Sequence, residues 1–531
     1  MKTLSVLLAL LATGSFARAD DQRPNILFFF ADDWGRYASI YADESRASLN
    51  DVISTPNIDR IGREGVVFSN AFVPVASCGP CRASLATGRY FWNCGSGAFL
   101  NGKASNWKGY NNPMQSLPKF GDLIRESGYY AQKSRKTFAF SPSPRPKSVR
   151  SLKKVRYERY GLYVGEAKTR PERESRHDEI VENCRQEIRQ MLAGRSEDQP
   201  FFFVFGSINA HRPYTPDSGR NLWGIEPDAL KGLLPKFLPD SNDVRRDFSD
   251  YLGEVLALDL MLGSMLQELE SAGELDNTVV ILSGDHGVPG IPRGKTNCYD
   301  LATRVPLLVR WPRGIPSGRR VHDFVSVMDF GPTLLELASI KVPDSMDGRS
   351  FLSQLTSQKS GWIDSRRDSV FIGRELHFHT ARPGNVPYPM RAIRTKDHLY
   401  IRNLKPERWP MGDPYDAAKI TDPDALYKMG LSTTPAYRDL DGSLTKAWMM
   451  SRREQPGDRG LFRLTMYPRP REELYDLEKD PDQLVNLAAD PGSASVLTTL
   501  RTRVDKMMNA TGDPRIKDAF DRLPWVDSTK Q

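Results

Sequence analysis

The chain is poor in cysteine and histidine, with five of the first and seven of the second in 531 residues. Cys78, Cys81, Cys94, Cys184 and Cys298 are few for an exported protein, and an odd number sets one thiol apart. Long apolar runs are missing too. The stretch Leu4–Leu11 is too short to anchor in a bilayer, and nothing later is long enough to span one. Neither sign of charge dominates: 74 basic side chains face 66 acidic ones. That mild excess favours polyanionic ligands over neutral ones without demanding nucleic acid, and it equally suits a plain soluble surface. No internal repeat and no long disordered tract is visible. The length exceeds one ordinary core, so two domains are expected.

What is present begins with a leader. Lys2, the apolar run and Ala17-Arg18-Ala19 make Met1–Ala19 a secretory signal, so the mature chain is expected to start near Asp20, secreted or periplasmic. Strands are expected at Asn25–Ala31, Val66–Phe72, Pro200–Ser207, Val279–Leu282 and Val305–Trp311, all continuous apolar runs of the kind buried on both faces of a parallel sheet. Helices are expected at Thr55–Gly65, Leu117–Gly128, Phe248–Leu275 and Val327–Leu337. Asp259 interrupts the apolar stripe of the third of these. From Tyr388 the period shifts to two, which suggests a small antiparallel sheet with a terminal helix.

The stretch CGPCRASLATGR, residues 78–89, stands out. Pro80 suits a first helical turn and Gly88 a helix end. Cys78 then sits at a helix N-terminus, with Arg82 one turn on over the same face. A sulfur, a helix N-terminus and a guanidinium together form an anion-binding reaction centre. Asp32 and Asp33 directly follow the first strand. Adjacent carboxylates there suit a hard cation, though an aspartate-rich turn reads the same way.

Cys78-x-Pro80-x-Arg82, with Leu85, Thr87, Gly88 and Arg89 following, resembles the signature of the formylglycine-dependent sulfatases of the alkaline phosphatase-like superfamily. It departs at Cys81, where that family usually carries serine. The order strand, aspartate pair, TPNID helix, strand, cysteine motif resembles the same family. So does Glu473-Leu474-Tyr475-Asp476-Leu477 near the end, so the likeness spans nearly the whole mature chain.

The resemblance implies an α/β fold: a large mixed, mostly parallel sheet sandwiched by helices in a catalytic domain over 20–385, with a smaller antiparallel sheet plus helix over 386–531. It implies that a formylglycine-generating enzyme oxidises Cys78 to an aldehyde, and that Ca²⁺ or Mg²⁺ is held by Asp32, Asp33, Asp285 and His286. It makes Arg82, Lys136, His211 and Lys295 the catalytic partners of Cys78. Lys136 lies eight residues after Gly128, where the family places a sulfate-binding lysine, or it is a solvated lysine in a basic run. The histidine that normally follows that lysine is replaced by Phe138 and Ala139. His211 or His286 is left as a candidate base.

Ser141–Tyr160 is a basic loop or a rim that steers sulfated polymers. His377 and His379, two apart on an extended segment, read as substrate-binding residues or as surface. NAHRPY, IPRGKTNCY and YPMRAIRTKDHLYIRNL are most similar to the sulfamidase branch, which implies an N-sulfated glucosamine substrate. An O-sulfated polysaccharide and an inactive binder of sulfated glycans are the alternatives. No nucleic acid and no membrane anchor are expected.

Overall fold

The computed structural model describes residues 23–43, 46–99, 113–146, 159–524 and 526. The expected leader, and residues 147–158 of the basic stretch, lie outside them.

Asn25–Ala31 forms the central strand, and all seven residues are buried. Leu27, Phe29 and Ala31 join one core. Ile26, Phe28 and Phe30 join the other. A strand covered on both faces reads as an unbroken apolar run because neither alternate set of side chains meets water. Each fully buried Leu, Ile or Phe contributes about 1.5–3 kcal/mol, which makes this strand a large share of what holds the layers together.

The large sheet has seven strands in the order Tyr130–Arg135, Phe201–Gly206, Asn25–Ala31, Thr278–Gly284, Leu307–Arg310, Val66–Phe68, Arg319–Val321. The first four run parallel. Leu307–Arg310 is antiparallel to both its neighbours, and the last pair is parallel again. The mixed, mostly parallel sheet expected from the sequence is therefore present. The expected strand Val305–Trp311 is split at Pro306, which has no N–H for a ladder: Arg304–Val305 pairs elsewhere and Leu307–Arg310 enters the large sheet.

The long helix runs Asn242–Ser271 rather than Phe248–Leu275. Ser241 caps its start by accepting from the Val244 N–H at 3.4 Å. Its first turns, Asn242 to Asp247, are mostly polar and carry no apolar stripe, so periodicity alone starts the helix late. Leu252, Val255, Leu258, Met261, Leu262 and Met265 fill the first core. Asp259 has a separate task. Its Oδ1 accepts from the Asn57 and Ile58 N–H groups at 3.0 and 2.8 Å, capping the helix Pro56–Arg63.

A second, four-stranded antiparallel sheet joins Ser369–Arg374, Met390–Thr395, His398–Asn403 and Glu472–Asp476. Its first strand comes from before residue 386. The helix Ala494–Ala510 packs against its middle strands. All five cysteines are free and buried. Among the described residues no helix is long and apolar enough to cross a membrane.

Candidate active site and metal centre

The candidate residues gather at the carboxyl edge of the parallel strands, where open α/β sheets place their ligands. Asp32 and Asp33 follow Asn25–Ala31, and Asp285 and His286 follow Thr278–Gly284. Lys136 follows Tyr130–Arg135, and His211 lies five residues past Phe201–Gly206. Cys78 is the first residue of the helix Cys78–Thr87, which ends at Gly88 with φ +63°, a conformation that favours glycine. Gly206 has a different reason. A Cβ there would meet the Lys136 carbonyl oxygen at 1.8 Å, so only glycine lets that backbone come close.

Several backbones at the site are strained. Asp33, Arg135 and Thr296 have φ of +59°, +64° and +75°. Left-handed conformations are costly for side chains of this kind and collect where surroundings force them. Each of the three sits at or beside a candidate residue: Asp33 itself, Lys136 and Lys295.

Cys78 Sγ is 3.1 Å from His286 Nε2 and 3.9 Å from Asp33 Oδ1. Arg82 donates to Asp285 at 2.9 Å, to Asp32 at 3.1 Å and to the Lys136 carbonyl at 2.8 Å. Lys136 Nζ lies 2.5 Å from Asp32 Oδ2, and Lys295 Nζ 3.1 Å from Asp33 Oδ2. His211 Nε2 is 3.9 Å from Asp32 Oδ2.

Charge shapes these groups. Burial is the largest influence on Asp32 and would raise its carboxyl, but Lys136, Arg82 and His211 together hold it well below the usual range. Burial, then the charge of Asp32, pushes Asp285 up. Burial and Asp32 also push the Cys78 thiol well up, so the unmodified sulfur is not poised as a thiolate. Burial would lower Lys295, but Asp33 and Asp441 hold its ammonium charged.

The residues fit a metal ion. Asp32, Asp33, Cys78 and His286 are buried and present ligand atoms within 4.8 Å of one another. His286 Nδ1 lies 3.1 Å from the Gly287 carbonyl, which can only accept, so Nε2 is the ring nitrogen left to meet a metal ion. That nitrogen faces Asp33 Oδ1 at 3.2 Å and Asp285 Oδ1 at 3.5 Å, close enough for one ion to be shared among them. Four carboxylates, Asp32, Asp33, Asp285 and Asp441, face three fixed cations here, Arg82, Lys136 and Lys295. A dication added to that balance leaves the cavity positive, as an anionic substrate requires. Asp285 stands apart from the compact set of four: its oxygens serve Arg82 and the Asp33 N–H, the latter at 2.9 Å.

The other expectations fare differently. The extended segment expected for His377 and His379 stops at Arg374; His377 lies in the bend that follows and His379 in the turn after it. His377 is buried with Nδ1 2.8 Å from Ser77 Oγ, next to Cys78. Burial, then Lys295, pushes its imidazole down to about 3 and keeps it neutral. His379 is half-buried. Phe138 packs into the core, 5.0 Å from Phe120 and 6.0 Å from Phe28 between ring centres. Sequence reading missed Ser77 and Asp441, whose carboxylate is 3.5 Å from Lys295 Nζ. It also missed Arg159, whose Nη2 lies 3.3 Å from His211 Nδ1. No local pattern marks Ser77 or Asp441, whereas Arg159 lies in the basic stretch 141–160 without a signal of its own.

The family model described as Sulfatase matches residues 24–340. The chain belongs to the sulfatase family. A second model, described as N-sulphoglucosamine sulphohydrolase, C-terminal, matches residues 293–452 of this sulfatase. The human N-sulphoglucosamine sulphohydrolase is 29% identical over 520 residues, 92% of this chain and 91% of its own. An ulvan-active sulfatase of Formosa agariphila is 24% identical over 529 residues, covering 93% and 76%. A solved structure holding its substrate D-glucosamine-2-N,6-O-disulfate superposes with a TM-score of 0.56 at 18% identity, over 92% of this sulfatase and 98% of that chain. A phosphonate monoester hydrolase of Agrobacterium radiobacter gives 0.55 at 19%, over 92% and 96%. At such identities the structural likeness shows the fold, that of the alkaline phosphatase-like sulfatases, and the family model makes the chain a sulfuric ester or sulfamate hydrolase.

Proposed function

We propose that this sulfatase removes the sulfo group from a sulfated glycan, with N-sulfated glucosamine the preferred substrate. The observation that carries the reading is the setting of Cys78: a helix N-terminus ringed by Arg82, Lys136, Lys295 and a buried cluster of metal-ligating groups. A formylglycine-generating enzyme is the maturing partner. Hydrated formylglycine at position 78 would supply one hydroxyl oxygen to attack sulfur as the S–N or S–O bond to the glycan breaks, and a second hydroxyl whose proton loss drives cleavage of the carbon–oxygen bond to the sulfo group, expelling sulfate and restoring the aldehyde. Asp32, Asp33, Asp285 and His286 would hold Ca²⁺ or Mg²⁺, which would supply Lewis acidity to the site.

The chain's own groups do the rest. Lys136 and Lys295 present ammonium charge to the sulfate oxygens. Arg82, tied to Asp32 and Asp285, fixes the ligand carboxylates. His211 Nδ1 lies 2.6 Å from the Arg212 carbonyl and 3.3 Å from Arg159 Nη2, which leaves Nε2 as the ring nitrogen open to exchange. Nε2 faces the site and can protonate the leaving nitrogen or oxygen. With Phe138 in the core, His211 takes the proton work the family gives to a histidine after the lysine.

The C-terminal family match and the human relative support N-sulfated glucosamine. The ulvan-active relative favours a second reading, an O-sulfated polysaccharide. The residues 1–19, read as a leader, support export.

The test is expression with the maturing enzyme, mass spectrometry of the Cys78 peptide, and sulfate release from defined N- and O-sulfated saccharides. Conversion of Cys78 with release from N-sulfoglucosamine is expected. Conversion with release only from O-sulfates selects the second reading. An unconverted thiol and no release would leave a glycan-binding protein.

A further inference from the structure

Outside the Cys78 site lies a cavity of about 280 Å³ whose polar lining is dominated by cations. Arg36, Arg46, Lys236 and Arg304 line it, against two carboxylates, Asp300 and Asp482. Both carboxylates are already engaged. Asp300 receives Arg394 in a two-pronged pair, at 2.9 Å on each oxygen. Asp482 lies 3.5 Å from Arg46.

Arg36, Lys236 and Arg304 have no carboxylate within ion-pair distance among the described residues. The Arg36 guanidinium lies over the Tyr41 ring at 5.0 Å. Arg304 donates to the Ser69 carbonyl and to Asn70. Burial pushes Arg36 down, and burial and then Arg36 push Arg304 well down. Cations crowded in a sheltered space repel each other, and an anion between them relieves the repulsion.

We propose that this cavity is a second anion site, taking a sulfo or phospho group either free or on a body of monosaccharide size. Planar guanidinium groups match the oxygens of such a group two at a time. The volume is near the small end of ligand pockets and is roughly nine times the ~30 Å³ of one water, so it has room for a sugar ring beside the charged group. The site also bears on the loop of the aspartate pair. Arg36 and Tyr37 stand three and four residues after Asp33 in that loop, where the Tyr251 hydroxyl accepts from the Gly35 N–H at 2.9 Å and donates to the Asp33 carbonyl at 3.2 Å. The proposal does not rest on catalysis at Cys78.

The test is crystallography of the full chain with selenate, an oxyanion located by its anomalous signal, alongside calorimetric titration. Inorganic sulfate and glucosamine 6-sulfate are the two titrants. Selenate is expected in the cavity as well as beside Cys78. Arg36→Met should lose the cavity signal and weaken that binding step about tenfold or more, as the loss of a charge-assisted pair does. Should Arg36→Met fail to fold, the rim double variant Arg46→Met with Lys236→Met gives the same readout. An empty cavity at saturating selenate overturns the proposal. So does occupancy that both variants leave unchanged, the mark of an adventitious ion only. Tighter binding of glucosamine 6-sulfate than of inorganic sulfate identifies a sugar-borne group; the reverse identifies the free anion.

Discussion

Cys78 Sγ and His286 Nε2 stand 3.1 Å apart although 208 residues separate them in the chain. The cysteine comes from a helix start and the imidazole from a strand end, so the packing of helix on sheet fixes their distance. A nucleophile formed at position 78 therefore stands next to a ligand of the proposed metal.

Cys78→Ser retains one hydroxyl and lacks the second. It should accept the sulfo group and fail to release it, lowering kcat by about 10³-fold or more. Intact-mass analysis after incubation with substrate should show a sulfated serine. Normal turnover by this variant would refute the aldehyde mechanism.

His211→Asn removes the proton at Nε2. General acid–base groups contribute about 10²–10⁴-fold, so kcat on glycan substrates should fall within that range. An activated aryl sulfate, whose leaving group needs no proton, should be affected far less. Equal losses on both would assign His211 to binding instead.

Chelation should lower both activity and melting temperature, because the buried carboxylates lose the cation between them. Saturation at 100 times Kd adds about 2.7 kcal/mol of stability. Return of the melting temperature on adding Ca²⁺ or Mg²⁺ identifies the ion. A melting curve that chelation leaves unmoved would argue against the site.

Gly206→Ala forces a methyl group against the Lys136 carbonyl, 1.8 Å from the added carbon. Overpacking of this kind costs about 1–3 kcal/mol. The melting temperature should drop and KM should rise as Lys136 is displaced. Full activity with native stability would show that the strand yields more easily than its close contact implies.

The acidic side chains of the long helix set a pH limit. Burial, then Asp250, pushes Glu254 up to about 8, and burial pushes Asp250 to about 7. Glu254 takes the Gly161 N–H, and its Oε2 has no partner among the described residues. A carboxyl raised on folding binds its proton more tightly in the native state. Its contribution is full below the unfolded value near 4.5 and is lost as pH rises toward 8. The melting temperature should fall between pH 5 and pH 9, and Glu254→Gln should flatten that fall. An unchanged slope in the variant would place the effect elsewhere.

Much of this was readable in the sequence because the informative signals were local. Asn25–Ala31 matched its strand residue for residue, and the Cys78 helix began and ended where Pro80 and Gly88 indicated. The aspartate pair, Asp285, His286 and Lys295 all came to one place. What escaped depends on contacts between distant segments. Ser77 meets His377 across 300 residues, and Asp441 reaches Lys295 from an irregular segment with no pattern of its own. The long helix began early because Asn242–Asp247 is set by a cap, not by a stripe. His377 left its expected strand because the ladder ends at Arg374.

The alternation along Asn25–Ala31 makes that segment intolerant of changes in length. Deleting or inserting a single residue there would exchange the layer each aromatic ring occupies and rotate the two aspartates away from their partners. Substitutions of similar volume can be absorbed by repacking, but a frame shift of one position cannot. Natural variation in this strand should therefore be confined to side-chain identity, with its residue count held constant.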